Sequence, residues 1–180
     1  MRDAQSCFRA TLAAMASPGS RHSVTDVVSP PAPLCGAAAS VLLTLVDGET
    51  AVHVSNGFSA CADWIRFHCG CDPTDDPGTA GFILASVLPD LSSISAGSDE
   101  APEESATIIL QVASLDNGRA YTLAGPGLQS TAKLCVTGLP DDFAARWAAN
   151  HALFPRGVDL ILCAGSTIVA LPRSVTVRED

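Results

Sequence analysis

Phe154-Pro155-Arg156-Gly157-Val158-Asp159-Leu160-Ile161-Leu162 decides how the chain is read: a turn, one carboxylate, then an apolar run. Proline fixes its own φ and has no N–H, while glycine permits backbone angles closed to other residues. Together they predict a sharp turn that sets Asp159 at the mouth of a buried strand over 158–163. Two further stretches, 80–87 and 106–115, are too continuously apolar to be half-exposed, so they predict central strands covered on both faces. Strands over 50–54, 134–136 and 167–171 complete the set, the last turned from 158–163 at Ala164-Gly165. Asn117-Gly118 lies between 108–115 and 121–123, which is a hairpin signal.

Helices fill the intervals. Phe8, Leu12 and Met15 recur at spacings of four and three, predicting an amphipathic helix over 3–16 with these residues on its apolar face. Ser17-Pro18-Gly19 stops it. A link carrying Pro30, Pro31 and Pro33 leads to a second helix over 37–46, and Asp47-Gly48 turns the chain into the first strand. Residues 56–69 read as helical, with Cys61 and Ile65 on one side. Pro140 starts a last helix through His151, with Asp141 and Asp142 in its first turn, where the helix dipole favours negative charge. The segment 72–78 is a loop, and the acidic, Ser-rich 92–105 reads as a solvated one. The expectation is an α/β fold: one mixed β-sheet flanked by helices on both faces, in a single domain spanning 1–180.

At 180 residues the chain is long enough to bury roughly 70% of its unfolded surface. Hydrophobic residues make up 47% and mean hydropathy is +0.29. No apolar stretch reaches the ~20 residues a membrane span needs. The apolar excess therefore points to a protein–protein interface or to a core rich in Ala and Val. A formal charge of -9 and a pI near 4.7 argue against nucleic acid as a partner. The opening Met1-Arg2-Asp3 has no basic segment leading into an apolar one, so a cytoplasmic location is expected. The seven cysteines are then expected as reduced thiols. Cys35, Cys135 and Cys163 read as small buried hydrophobes, and His68, Cys69 and Cys71 lack the spacing of a zinc site, so no metal is expected. Gly125-Pro126-Gly127 follows a strand but lacks the third glycine and the helix of a dinucleotide fingerprint, and reads as a structural turn. Gln111, an amide in an apolar strand, must find partners, which makes it a register or interface residue.

Taken in order, Asp3-Ala4-Gln5, Phe8-Arg9, Met15, Pro18-Gly19, Ser40 to Leu45, Asp47, Thr50 and Arg66-Phe67-His68 form the first half of a pattern. Thr107, Ile109 to Leu115, Gly118-Arg119, Leu123, Gly125, Gly127, the Phe154 cluster and Pro172-Arg173 complete it. The set resembles the PhnH family, one component of the bacterial carbon–phosphorus lyase system that breaks down phosphonates. The resemblance implies a fold like the large domain of pyridoxal-phosphate-dependent transferases without the cofactor, and a homodimer when isolated. It implies a place in a complex with subunits G, I and L. That complex makes α-D-ribose 1-methylphosphonate 5-triphosphate from an alkylphosphonate and MgATP with release of adenine. Radical cleavage of the carbon–phosphorus bond belongs to subunit J, and nucleosidase chemistry to subunit I.

Pyridoxal phosphate itself is not expected: Lys133 is the sole lysine, and a Schiff base needs a supported one. No other cofactor is expected on this chain, since Cys61, Cys69 and Cys71 do not match the spacings that hold an iron–sulfur cluster. At positions matching the family, Arg66 with His68, Arg119 and Arg173 are candidates for holding phosphonate or triphosphate, which arginine grips by paired N–H donors. The alternative is that each arginine pairs with a carboxylate, as Arg66 can with Asp63 three residues earlier. Asp159 reads as a turn or ion-pair anchor, with Gly125, Gly127, Phe154, Pro155 and Gly157 shaping turns at the mouth of a site. Three functions stay open: a working part of a transferase site, an architectural subunit, or an independent small-molecule transferase.

Overall fold

Alternate residues of the apolar runs 107–111 and 159–164 face opposite ways, and that alternation organises the core. A computed structural model describes residues 2–24 and 29–180. In chain order the elements are α1 (Arg2–Ala16), β1 (His22–Ser23), α2 (Gly36–Leu45), β2 (Val52–Val54), α3 (Ala62–Cys69) and β3 (Phe82–Ala85). They continue with β4 (Thr107–Gln111), β5 (Ser114–Ala124), β6 (Ala132–Thr137), α4 (Phe143–His151), β7 (Asp159–Ala164), β8 (Thr167–Leu171) and β9 (Thr176–Glu179). The larger sheet has the order β1-β8-β7-β4-β3-β2. Its strands β2, β3, β4 and β7 are parallel, with β8 antiparallel to β7 and β1 antiparallel to β8.

One face of this sheet presents Ile108, Leu110, Leu160, Leu162 and Val169; the other presents Ile109, Ile161, Cys163, Ile168 and Ala170. Strands buried on both sides need continuous apolar sequence, which is why these runs show no polar alternation. Helices α1, α2 and α3 cover the second face, and α4 covers the first together with a three-stranded sheet ordered β6-β5-β9. The mixed α/β architecture with flanking helices is thus present, with a second sheet added.

The helix α1 corrects one expectation. Its buried line is Cys7, Thr11 and Ala14, while Phe8 and Leu12 are 45% and 53% exposed. The helix packs on both α2 and β8, and the line it turns inward carries small side chains. Two helices meeting through such small residues approach closely, and only small side chains fit between them. The larger apolar pair is left outside.

Asn117-Gly118 is not a hairpin turn. Strand β4 ends at Gln111, and β5 runs straight through the dipeptide, with a break in its register against β6 between Ser114 and Arg119. At Gly118, with φ +112°, a Cβ would overlap the Val136 carbonyl and the Thr137 hydroxyl. The positive φ that a tight hairpin would use serves here to make a bulge.

Smaller differences have local causes. Residues 56–61 wind as a 3-10 turn before α3, a tighter coil that places Phe58 and Cys61 together in the core beneath Ile65. Helix α4 begins at Phe143, after a turn at Asp141-Asp142, and buries Phe143 and Trp147. The Trp147 indole N–H donates to the Val175 carbonyl at 2.8 Å. Strand β9 was not expected, because Val177 is the one apolar residue among its four; pairing with β5 builds it. No helix among the described residues is long and apolar enough to cross a membrane.

Candidate functional site

Asp159 opens β7, and its carboxylate is held by Arg173 from the turn after β8. The Arg173 Nη2 donates to Oδ2 at 2.5 Å, and Nε and the backbone N–H donate to Oδ1 at 3.2 and 2.7 Å. Nη1 reaches across to the Pro102 carbonyl at 2.6 Å. The two side chains are only 16% and 14% exposed. A buried pair with its lone pairs this fully engaged satisfies its own desolvation. The structure thereby joins two candidates, Asp159 and Arg173, into one ion-pair anchor.

The loop 92–105 is strapped to the same corner. Gly157 N–H donates to the Ala96 carbonyl at 2.9 Å, and Arg156 Nε lies 3.0 Å from the Asp99 carboxylate. Behind the turn, Asn150 is 4% exposed. Its Nδ2 donates to the Val158 carbonyl at 2.9 Å, and its Oδ1 accepts the Val158 N–H at 2.8 Å. This amide imitates a strand neighbour and sets the angle at which the chain enters β7. The Phe154 and Pro155 side of the turn faces outward, with Phe154 59% exposed.

Arg119 and Arg66 lie elsewhere. Arg119, on β5, donates through Nη2 to the Asp141 carboxylate at 2.5 Å and through Nη1 to the Asp141 carbonyl at 3.0 Å, with Glu179 3.3 Å away. Beside it, Tyr121 is fully buried, edge-on to Phe143 at 5.5 Å, and burial pushes its hydroxyl pKa up. Arg66, on α3, bridges Asp63 and Asp72, both at 2.6 Å, on the exposed surface, where water and salt screen such pairs and they add little stability. His68 is exposed and stacks at 4.6 Å on Trp64. The candidate cations do not gather around one cavity; carboxylates of the same chain engage each arginine.

Gly125 and Gly127 form a turn docked on the end of α1, where a Cβ on Gly127 would overlap the Ala16 carbonyl and Pro18. Gln111 clamps the proline-rich link: its Oε1 accepts the Cys35 N–H and its Nε2 donates to the Pro33 carbonyl, both at 2.8 Å. Lys133 donates to Asp180 at 2.5 Å and to Thr122 at 2.8 Å. Burial pushes the Cys69 thiol up to about 11 and raises Cys61, Cys71 and Cys163 as well, so these thiols stay neutral. Among the described residues, no three His, Cys, Asp or Glu side chains gather as a metal site.

A cleft of about 340 Å³ opens between α4 and the segment before loop 92–105, lined by Asp90, Leu91, Ser92, Arg146, Ala149, Asn150 and Leu153. Nothing in the sequence marked it, since its lining comes from two segments far apart in the chain. Asn150 was legible only as a polar residue among helical alanines.

Fold and geometry together define a mixed α/β protein whose conspicuous cations are engaged by its own scaffold. The chain belongs to the PhnH family: the model described as bacterial phosphonate metabolism protein (PhnH) matches residues 1–178. It is similar to the alpha-D-ribose 1-methylphosphonate 5-triphosphate synthase subunit PhnH of Rhizobium meliloti (strain 1021). That identity is 36%, over 99% of this chain and 92% of the relative. It is also 37% identical, over 46% of this chain and 42% of the relative, to the "Putative C-P lyase subunit protein HtxG" of Stutzerimonas stutzeri.

Proposed function

We propose that this chain is a subunit of a cytoplasmic carbon–phosphorus lyase complex. There it takes part with subunits G, I and L in making α-D-ribose 1-methylphosphonate 5-triphosphate from an alkylphosphonate and MgATP, with release of adenine. Subunit J joins the assembly for the later bond cleavage, and the isolated chain is a homodimer. The observation that carries this reading is similarity to a named synthase subunit over 99% of the chain.

Within the complex, the reading we favour is architectural. Arg66, Arg119 and Arg173 are the cations best suited to grip a phosphonate or triphosphate, and each is engaged by carboxylates of this chain. At Arg173, where all three guanidinium nitrogens are engaged, an anion would have to displace partners of this chain to bind. The test is co-expression with subunits G, I and L from the same genome, followed by adenine release from MgATP and methylphosphonate. Arg119→Ala is expected to assemble and to release adenine within about twofold of the wild-type rate, as loss of an exposed pair implies. Loss of activity in an intact complex would make Arg119 part of the anion site and overturn the architectural reading.

A further inference from the structure

The cleft beside α4 has the wrong lining for a small polar ligand. Asn150 gives both ends of its amide to Val158, and the Asp90 carboxylate accepts bonds from the N–H and hydroxyl of Ser92. Arg146 pairs with Asp142 at 2.9 Å. The walls that remain, Leu91, Ala149 and Leu153, are apolar. The volume, about 340 Å³, sits at the low end of ligand pockets (~300–1,000 Å³) and suits one or two inserted side chains.

The surroundings extend this into a surface. Leu153, 40% exposed, forms one lip, and Phe154, 59% exposed, stands next to it. The turn that carries them is fixed by N–H bonds from Leu153 to Asn150, from Phe154 to His151 and from Arg156 to Leu153, at 3.0–3.1 Å. Apolar groups held this firmly lose little freedom when a partner covers them. Beyond the turn lies loop 92–105, tied down through Ala96 and Asp99. Arg146 and Arg156 each already have a carboxylate, whereas Asp90, Glu100, Glu103 and Glu104 have no ion pair among the described residues. The face thus combines an apolar slot, an apolar rim and an acidic border, in which Asp90 shares the field of Arg146 while Glu100, Glu103 and Glu104 have no ion pair among the described residues.

We infer that this face docks a basic, amphipathic segment of a partner subunit. An apolar side chain seats between Leu91 and Leu153, and lysines or arginines lie against Asp90, Glu100, Glu103 and Glu104. The inference rests on the reading of this chain as a member of the complex. Charge complementarity selects the occupant: a second copy of this chain, at -9, carries few free cations to offer. Among the described residues, the other exposed large apolar groups, Phe8 and Leu12 on α1, Phe67 on α3 and Val87 after β3, do not line this cleft.

The experiment co-expresses the tagged full chain with subunits G, I and J from one genome and quantifies what co-purifies. Ala149→Glu puts a charged side chain into the slot from an exposed helical position. It is expected to cut recovered partner at least tenfold while light scattering and thermal unfolding of the free chain stay as in wild type. The triple change Glu100→Lys, Glu103→Lys, Glu104→Lys is expected to weaken capture and blunt its salt dependence, since border charges act through screened attraction. Phe67→Ser should capture partner normally. If Ala149→Glu lowers thermal stability, Leu153→Asp replaces it and is read the same way. Undiminished capture by the slot variant overturns the docking face alone. Failure of the wild-type chain to capture any subunit overturns its membership of the complex and this inference together. If the slot variant changes only the chain's self-association, the face is a contact between copies and the inference falls.

Discussion

Asn150→Ala isolates the joint that sets Asp159 in place. The change deletes two buried hydrogen bonds and leaves the Val158 N–H and carbonyl without partners in a residue that is 1% exposed. An orphaned buried backbone group costs about 1–3 kcal/mol, so the pair implies a loss of about 2–6 kcal/mol. A chain of this kind has about 5–15 kcal/mol in total, so a large fraction is at stake. The assay is urea unfolding followed by the fluorescence of buried Trp147: the midpoint should fall with the slope unchanged. At ~2–4 °C per kcal/mol, thermal unfolding should move down by about 4–24 °C. A second variant separates the two bonds. Asn150→Asp keeps an acceptor for the Val158 N–H but sets a carboxylate oxygen against the Val158 carbonyl. Its deficit against wild type should narrow as pH falls and the carboxyl gains a proton to donate. A loss below about 0.5 kcal/mol in Asn150→Ala would refute the reasoning, for it would mean that water takes over both bonds.

Two further outcomes test other parts of the molecule. Asp159→Ala leaves the Arg173 guanidinium buried without its carboxylate and should cost about 3–5 kcal/mol in urea unfolding, whereas Asp63→Ala at the exposed Arg66 pair should leave the unfolding midpoint close to wild type; equal effects would show that burial does not separate them. Cys69 has a thiol raised from 9.0 to about 11 by burial, with Cys71 adding to the effect. The folded thiol stays neutral where the unfolded one ionises, so its stabilising share is complete below about pH 9 and is lost as pH rises from there to about 11. Cys69→Ala should flatten part of that alkaline decline in unfolding midpoint, and an unchanged slope would remove Cys69 as a contributor.

The central strands were legible because burial on both faces imposes an unmistakable pattern, as in Ile108 to Leu110 and Leu160 to Leu162. Strand β9 was not, since a strand with Val177 as its single apolar residue owes its existence to the edge of β5. Asn117-Gly118 shows how one local signal serves two structures: the dipeptide reads as a hairpin, but the positive φ of Gly118 serves a bulge within β5. The apolar residues of α1 were visible, yet their direction depended on how the helix packs against α2 and β8, which no spacing within α1 encodes. At the candidate site, Asp159 as an anchor followed from its turn. The carboxylates that engage Arg119 come from Asp141 and Glu179, distant in sequence, and that pairing required the fold.

Strands β4 and β7 are neighbours in the larger sheet, but the whole of β5, β6 and α4 lies between them in the chain. Folding therefore has an imposed order. The β7–β8 hairpin is local and can form early, but it cannot join the β2–β3–β4 half until a long intervening segment has collapsed. The entropy of closing such a loop is lost before the contacts that reward it exist. The β5–β9 pairing closes a loop of similar length and carries the same cost. A newly made chain would then spend its slowest moments with the β4 edge bare, a strand edge open to pairing with any neighbour.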